Sequence, residues 1–483
     1  MRPAAALTIL MVLGMAVRLS AGWIRPADLR ADNDGYLAHA EMVIQGEGFA
    51  GPYTHQPTAF RPPAYPISIA GLRWSGFSAA TSVAIINGLC GIAIIGLTWQ
   101  LGRQLGLPNG VVVFATTLTT FDPLLLRYSI LPMTEVPAAA VLLAAVVALK
   151  AGEKRFPDAD DGVSGKWKEQ IDRRTGTSAR HTPRRAEVPV LQRIDRIPLL
   201  VLLLSGILFG VGSLVRPIIL VSCAMLVLWR IIRSLKNRAE LRCVIVTAML
   251  PAVAALLAIS PWIIRNAIQF HKFIPATTHG GYTLALGNNT DFYRDVIDGH
   301  VPFPWPGPQL DAWQKNMIAD AEAQGVPIGN EPALDAWHYR QAFAAIQSRP
   351  TSFLKACLLR LRRFCAITPG ADDGLPGAVL ALTAVWYGVI AIGVIAAVGQ
   401  SILNCVWCGL PRSQQCNSAG NGFADLWFVI LSFMLLHSVY WTDTRMRAPV
   451  MPFVCLIAAF GLSSVLQTLR PRFFPRLPAE STS

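Results

Sequence analysis

Repeated apolar stretches of about 20 residues are the feature of this sequence that most restricts its fold. A helix needs roughly 20 apolar residues to span a hydrocarbon core of about 30 Å. About ten windows meet or approach that length, and they cover 5–23, 82–102, 109–126, 134–150, 197–214, 217–233, 243–264, 376–398, 424–441 and 448–468. With 53% hydrophobic residues, the chain is too apolar for a soluble enzyme. The sequence therefore predicts an all-α polytopic membrane protein with about ten transmembrane helices.

The net charge of +13 is distributed in a way that predicts the topology. Segment 151–196, interval 230–242 and the C-terminal tail are rich in Lys and Arg. Because such loops remain in the cytoplasm, we expect an even number of spans in the cytoplasmic membrane, with both termini cytoplasmic. The basic balance thus reflects topology and attraction to anionic membrane lipids, and nucleic acid is not expected as a partner.

This topology divides the chain into three parts. Residues 1–265 form a transmembrane module that contains the first outer loop, 24–66, and a partly disordered cytoplasmic insertion, 151–196. Residues 266–375 form a small extracytoplasmic cap of mixed structure. The cap begins with a Gly-punctuated piece that reads as β-rich and ends in a helical segment interrupted at a proline. Residues 376–483 supply the last transmembrane helices and a cytoplasmic tail.

The polar interval 28–66 separates the first apolar span from the next one and falls on the outer face. It contains Asp32 and Asp34, then a stretch with apolar residues at helical spacing that predicts a helix on the membrane surface, and then Arg61 before a double proline. Carboxylates and an arginine beside an apolar phase suit group transfer from a lipid carrier. Arg18, near the outer end of the first span, is expected to snorkel towards the headgroups.

Further ionisable residues fall at the outer ends of predicted helices. Charged groups at membrane depth are costly and usually face a cavity or a partner, although each one alone is explained equally well as a solvated loop charge. The boundary charges appear only at outer ends, which favours an enzyme over a transporter. The residues are Asp122, Arg127, Glu135, Arg216, Arg265, His279, Arg445 and Arg447.

These residue types suit transfer of a sugar from a polyprenyl phosphate to an acceptor. Attack on the anomeric carbon needs a carboxylate that takes the proton of the acceptor hydroxyl. The phosphate leaving group needs no protonating acid, but it benefits from cations, and arginine matches phosphate oxygens. No cofactor is required by this scheme, although Asp32, Asp34 and Glu135 could also bind a divalent cation. The acceptor could be a lipid, a glycan or a protein.

Several short motifs occur in an order that resembles the GT-C superfamily of integral-membrane glycosyltransferases. The resemblance is to bacterial relatives of the dolichyl-phosphate-mannose protein mannosyltransferases and of the lipid A aminoarabinose transferase, and it covers nearly the whole chain apart from 151–196. The motifs are Asp32-Asn33-Asp34-Gly35-Tyr36, Phe60-Arg61-Pro62-Pro63, Thr134-Glu135, Leu214-Val215-Arg216-Pro217, Pro261-Trp262-Ile263-Ile264-Arg265-Asn266, Gly287-Asn288 and Arg447-Ala448-Pro449.

The resemblance implies a role for each matched residue. Asp32 is the expected general base, and Asp34 is the alternative because the family's frequent Asp-Glu pair is replaced here by Asp32-Asn33. Glu135 orients the sugar or a cation, and Phe60 stands where the aminoarabinose transferases have a metal-associated glutamate. The residues expected to hold the carrier phosphate or the substrate are Tyr36, Arg61, Arg216, Arg265, Asn266 and Arg447.

Two other classes of function remain open on the sequence. A transporter or flippase of a lipid-linked or anionic substrate would use the same outward arginines and would carry comparable charges on the inner half of a pathway. A non-catalytic scaffold for envelope assembly would tolerate the combined loss of Asp32 and Glu135.

Overall fold

The chain folds into a bundle of helices with a helical cap. The computed structural model describes residues 3–153, 196–237, 245–301, 305, 307–368, 376–407 and 414–473. Most of the predicted insertion and the end of the predicted tail therefore lie outside the described residues. The helices are α1 Pro3–Ile24, α2 Tyr36–Ile44, α3 Ala64–Trp74, α4 Ala79–Gln104, α5 Asn109–Thr120, α6 Pro123–Tyr128, α7 Glu135–Glu153, α8 Arg196–Val215, α9 Ile218–Asn237, α10 Leu250–Phe270, α11 Gly280–Gly287, α12 Gly307–Ala323, α13 Glu331–Ser348, α14 Pro350–Phe364, α15 Gly377–Trp407, α16 Gln414–Val439 and α17 Met451–Phe473.

Seven of the described helical segments are long and apolar enough to cross a membrane, and an eighth, Phe423–Val439, is shorter. The seven are Pro3–Ile24, Ala79–Gln104, Glu135–Glu153, Ile197–Val215, Val246–Phe270, Gly377–Leu403 and Thr444–Gln467. The prediction of an all-α, multi-pass membrane protein is confirmed. The other predicted spans correspond to a broken helix, to α9 with its basic second half, and to Phe423–Val439.

Helix α7 lies at the centre of the bundle. Its buried residues belong to the main apolar core, which also takes side chains from α4, α5, α8, α9, α15, α16 and α17. Small residues let neighbouring helices approach closely, as is usual in membranes. A Cβ at Gly206 or Gly210 of α8 would lie 2.3 Å or 2.5 Å from a backbone oxygen of α10. At 1.5 Å per residue, α7 separates its two ends by about 28 Å.

The predicted span 109–126 is interrupted, and this prediction was wrong in detail. Helix α5 ends at Thr120, and the Asp122 carboxylate then caps the short helix α6 by accepting the backbone N–H of Leu125 at 3.0 Å. Pro123 at the first position of α6 has no N–H to continue the preceding helix. The polar turn therefore returns the chain to α7 without a full crossing by one straight helix.

Arg18 does not snorkel, so this expectation was also wrong. Its side chain is buried and donates to the Ser129 hydroxyl at 3.1 Å and to the backbone oxygen of Gly14 at 2.9 Å. Gly91 of α4 makes room for the guanidinium, because a Cβ there would lie 2.5 Å from the Arg18 Nε. The arginine thus joins α1 to α4 and α6 inside the bundle.

The cap is helical, and the expectation of mixed structure was wrong. The Gly-punctuated piece forms α11, and within the described residues the cap contains no strand. Glycine often marks turns, but Gly280 and Gly281 here allow close packing on α13, since a Cβ at Gly281 would lie 2.1 Å from the Asp335 backbone oxygen. The predicted helical segment that ends the cap is confirmed as α13 and α14, which meet at Pro350. An aromatic core that includes Trp313 and Trp337 holds the cap together.

Candidate active site

Five charged side chains form a continuous row at the end of the bundle that carries the cap. Arg61 lies 3.5 Å from one oxygen of Asp34, and Arg445 lies 3.2 Å from the other. Arg445 also lies 4.0 Å from Glu135, whose same oxygen accepts from Arg216 at 3.3 Å. Charges alternate along this arginine–carboxylate row, and cations occupy both of its ends.

Local structure places three members of the row, Glu135, Arg216 and Arg445. Glu135 is the first residue of α7, where the helix dipole favours a carboxylate. Arg216 follows the last residue of α8, because Pro217 cannot continue that helix. Arg445 lies in a 3-10 turn, Thr444–Val450, that begins where the Asp443 side chain caps the backbone N–H of Thr444.

The row carries three cations against two carboxylates, and it is enclosed. The Glu135 side chain is 1% exposed. Its Oε2 and the Arg216 Nη1 are buried without a hydrogen-bond partner in the protein, so both atoms remain able to bind a further polar group. Burial raises the pKa of Asp34, but the attraction of Arg445 and Arg61 outweighs it and holds that pKa below its ordinary value. Asp34 is therefore ionised at neutral pH.

Aromatic rings support the outer end of the row. The Arg61 guanidinium lies 5.2 Å from the ring centroid of Phe60 and 5.7 Å from that of Tyr36, within cation–π distance. Phe60 in turn packs edge-on against the His279 imidazole at 4.3 Å. Burial, with a further contribution from the Arg61 charge, lowers the pKa of His279 to about 3. His279 is therefore neutral at physiological pH and adds no charge to the site.

Asp32 is not part of the row. Its two oxygens accept the backbone N–H groups of Leu37 and Ala38 at 2.9 Å and 2.8 Å, so the carboxylate caps the start of α2. This is a common use of Asp at a helix N-terminus. Within the described residues, no three His, Cys, Asp or Glu side chains come together as a metal-ligand group. The possible ligand set of Asp32, Asp34 and Glu135 is accordingly not assembled, and arginine lies between the last two.

Arg265 and Asn266 hold backbone in place. Arg265 donates to the backbone oxygens of Thr58 and Phe49 at 2.7 Å and 2.8 Å. The Asn266 side chain is fully buried, accepts from Arg265 at 3.0 Å and donates to the Ile274 oxygen at 3.1 Å. These contacts tie α10 to the loops at the cap end, and neither residue forms a hydrogen bond or an ion pair with the row.

Arg447 also holds backbone in place. It donates to the backbone oxygens of Phe364, at 3.0 Å, and of Ala366. Its guanidinium lies 4.2 Å from the ring centroid of Tyr387, whose hydroxyl donates to Asp122 at 3.3 Å. The residue therefore joins the end of α14 to α15.

The row includes one member that the sequence did not single out for a role. Arg445 was one of several outward charges, and the motif resemblance pointed instead to Arg447. Its partner Asp34 lies 411 positions away in the chain. No local spacing pattern could connect the two residues, because only the fold brings them together.

The other end of α7 carries a second buried charge cluster, and the expectation that boundary charges occur only at outer ends was wrong. Arg230 donates to Glu153 at 2.6 Å and to Asp425 at 3.3 Å. Lys150 lies 3.4 Å from Glu153 and also contacts Asp425. Among the described residues that make these contacts, two cations face two carboxylates, and neither carboxylate has a buried oxygen without a partner. We call these contacts the far-end cluster.

Comparisons with known proteins add evidence on the fold. No protein-family model matches the sequence, and no curated protein matches it. The structure matches the archaeal oligosaccharyltransferase AglB from Archaeoglobus fulgidus, solved with an inhibitory peptide and a dolichol-phosphate, at a TM-score of 0.53 and 13% identity, over 98% of this chain and 51% of that one. The apo form of the A. fulgidus oligosaccharyltransferase gives 0.54 and 14%, over 98% and 51%.

ArnT from Cupriavidus metallidurans, solved with undecaprenyl phosphate, matches 97% of this chain and 81% of its own at 13% identity. Its TM-score is only 0.38. The chain spans about half the length of the archaeal structures. The fold is similar to that of these archaeal oligosaccharyltransferase structures. At these identities the likeness extends to the fold alone.

Proposed function

We propose that this protein is a membrane glycosyltransferase that moves a sugar from a polyprenyl phosphate to an acceptor. The arginine–carboxylate row is the observation that carries the proposal. It combines an excess of cations, two carboxylates and buried polar atoms without partners. A GT-C fold with multiple apolar helices provides a setting in which a lipid carrier reaches the row from the membrane.

The three arginines of the row suit the carrier phosphate. A phosphate leaves as an anion, and cations fixed in advance stabilise the charge that develops on it. Arg61 and Arg216 are free to turn donors towards a ligand, since each makes only one carboxylate contact in the row. Arg445 lies between the two carboxylates and keeps them apart. Under this proposal Tyr36 and Phe60 support Arg61, and Glu135 orients the sugar.

Asp34 is the carboxylate best placed to act as general base. Both of its oxygens contact arginines in the unliganded protein, which lowers the pKa and makes the group a weak base. A carrier phosphate competes for Arg61 and Arg445, so donor binding releases Asp34 and raises its basicity. Asp34 then takes the proton of the acceptor hydroxyl as that oxygen attacks the anomeric carbon with inversion, and the phosphate departs.

The remaining expected residues act from a distance in this scheme. Asp32 positions the loop that carries Asp34, and Arg265 and Asn266 hold the loop before Arg61. Arg447 supports the turn that carries Arg445. No cofactor enters the scheme.

The proposal includes an orientation in the membrane. Arg230 and Arg233 lie at the far end of the bundle, and basic residues favour the cytoplasmic side. We therefore place the cap and the row on the extracytoplasmic face of the cytoplasmic membrane, with both termini in the cytoplasm. The acceptor is a lipid, glycan or protein of the envelope. Single cysteines introduced into the cap and at the far end should label from opposite sides of the membrane, and labelling from the same side would contradict this orientation.

The function is tested by mass spectrometry of envelope lipids, glycans and proteins from cells with and without the protein. Loss of one sugar-bearing species identifies both the sugar and the acceptor. Transfer of that sugar from the corresponding polyprenyl-phosphate sugar is then measured with the protein in proteoliposomes. Asp34→Asn should reduce turnover by about 100-fold to 10,000-fold, the range for loss of a general base.

Asp32→Asn is the comparison variant, because an asparagine oxygen can still accept one of the two backbone N–H groups that Asp32 caps. We expect turnover to fall far less in this variant than in Asp34→Asn. The reverse order of effects would assign the base to Asp32. An unchanged envelope profile together with full turnover in Asp34→Asn would remove the proposal.

The far-end cluster does not support the alternative that the protein is a transporter. A translocation pathway needs charges that a substrate can engage, whereas the carboxylates of that cluster are occupied by Lys150 and Arg230.

A further inference from the structure

One carboxylate of the cap holds the segment that leads into Arg61. Glu331, at the start of α13, accepts hydrogen bonds from three donors. These are the Thr58 hydroxyl, the Ala59 backbone N–H at 3.0 Å and the Thr278 hydroxyl at 2.8 Å. We call this set of contacts the clasp. It joins the first loop of the membrane module to the cap across 272 positions of sequence.

The same segment is held from the membrane side. Arg265 of α10 donates to the Thr58 backbone oxygen at 2.7 Å, while Glu331 accepts from the Thr58 hydroxyl. The Ala59 oxygen accepts from the Thr278 backbone N–H at 2.9 Å. Thr58 and Ala59 are 1% and 0% exposed. A surface loop would normally leave its backbone to solvent, so this degree of enclosure indicates that the position of the segment matters.

Arg61 follows the clasp after only one intervening residue, Phe60. The Phe60 ring packs against His279, close to Thr278 of the clasp, and supports the Arg61 guanidinium. At the other end, Arg61 reaches Asp34 at 3.5 Å, a long contact for an ion pair. The ion pair alone therefore fixes Arg61 weakly, and the backbone before it must supply the placement.

We propose that Glu331 is a positioning residue that couples the cap to the phosphate-binding arginine of the row. Glu331 touches no member of the row, and it acts by holding the backbone from which Arg61 extends. Any movement of α13 is transmitted through the clasp to Arg61, so the cap sets how well the donor phosphate is bound. This inference rests on the proposed function.

The test measures binding of undecaprenyl phosphate to the purified protein, together with donor KM and kcat. Glu331→Ala should weaken undecaprenyl phosphate binding and raise donor KM by about 10-fold, equivalent to one hydrogen bond to a charged group, while kcat changes less. Glu331→Gln keeps one acceptor oxygen and should fall between the wild type and the alanine variant. Hydrogen exchange of the Ala59 amide should accelerate in Glu331→Ala.

Asp335→Ala is the matched control. Asp335 lies one turn further along α13 and accepts the Gly281 N–H at 2.7 Å, but it does not contact the segment before Arg61. Its loss should alter stability without changing undecaprenyl phosphate binding.

A double-mutant cycle separates positioning from general stability. If Glu331 acts through Arg61, removing Glu331 from an Arg61→Ala protein should cost little further binding, because coupled residues are not additive. Additive losses of binding in the two variants would overturn the inference and leave the proposed function intact. So would a Glu331→Ala protein that binds undecaprenyl phosphate like the wild type although its Ala59 amide exchanges faster. Absence of undecaprenyl phosphate binding in the wild type would instead overturn the proposed function, and the inference with it.

Discussion

The two ends of helix α7 carry charge clusters of similar composition and opposite character. At the far end, Glu153 and Asp425 share Lys150 and Arg230, so the charges of these four described residues are equal in number. At the cap end, three arginines face two carboxylates, and Glu135 has a buried oxygen without a partner. A closed cluster stabilises helix packing, whereas an incomplete one is suited to a ligand. The excess of cations and the unpartnered carboxylate oxygen together make the cap-end cluster the stronger functional candidate of the two.

The largest expected effect is on stability at the far end. Asp425→Asn leaves Arg230 and Lys150 with one carboxylate between them in a buried site, and breaking such a cluster typically costs about 3–5 kcal/mol. We expect a lower unfolding temperature in detergent and less folded protein, but an unchanged kcat for the folded fraction. A normal melting temperature with lost turnover would show that the far end also belongs to the active machinery.

Glu135→Gln should give the opposite result at the cap end. The variant keeps the shape of the side chain but removes the charge that faces Arg216 and Arg445. Transfer from the polyprenyl-phosphate sugar should fall by about 100-fold, or about 2.7 kcal/mol. The melting temperature should fall less than in Asp425→Asn, because one Glu135 oxygen has no partner in the native protein.

The same substitution at the other end of the same helix, Glu153→Gln, is the control for this result. We expect it to lower the melting temperature while transfer by the folded protein persists. If Glu135→Gln and Glu153→Gln changed the melting temperature and the rate of transfer equally, the two ends of α7 would not differ in function.

Arg216→Lys tests the geometry of the row at smaller scale. Lysine keeps the positive charge but loses the planar fork that matches phosphate oxygens. Donor KM should rise by about 10-fold, with kcat affected less. Arg233→Lys, in the second half of α9, is the comparison at the far end and should leave donor KM unchanged.

The sequence predicted the fold class because apolar length and loop charge depend on local composition. It predicted most helix positions, including α2 and the break between α13 and α14, for the same reason. It did not predict that the Gly-rich piece is helical, since glycine there serves close packing on α13 and not turns. The sequence also did not predict that Arg18 is buried inside the bundle, because the space that Gly91 leaves for it exists only once the helices have packed.

The site was predicted in part. Motif order brought forward Asp34, Arg61, Glu135 and Arg216, which the structure assembles into one row. The contribution of Arg445 and the clasp of Glu331 depend on contacts across 411 and about 270 positions of sequence. Asp32, which the resemblance implied as the general base, caps a helix, so the motif alone did not distinguish a carboxylate in the row from one beside it.

The last prediction concerns the pH dependence of stability at the cap end. Burial, aided by the Arg61 charge, lowers the pKa of His279 to about 3, whereas an unfolded histidine titrates near about 6.5. The unfolded chain therefore binds more protons between those values, and the stability that neutral His279 contributes is present above about pH 6.5 and falls as the pH decreases towards 3.

His279→Gln removes this proton linkage, so its melting temperature should fall less than that of the wild type between pH 7 and pH 4.5. The same change at the exposed His271 is the control and should follow the wild type. Undecaprenyl phosphate bound at Arg61 would place an anion near His279 and raise the pKa of His279. The fall in melting temperature between pH 7 and pH 4.5 would then differ less between His279→Gln and the wild type. A pH response that is identical in all three proteins, with and without the lipid, would show that His279 is not coupled to the charge of the row.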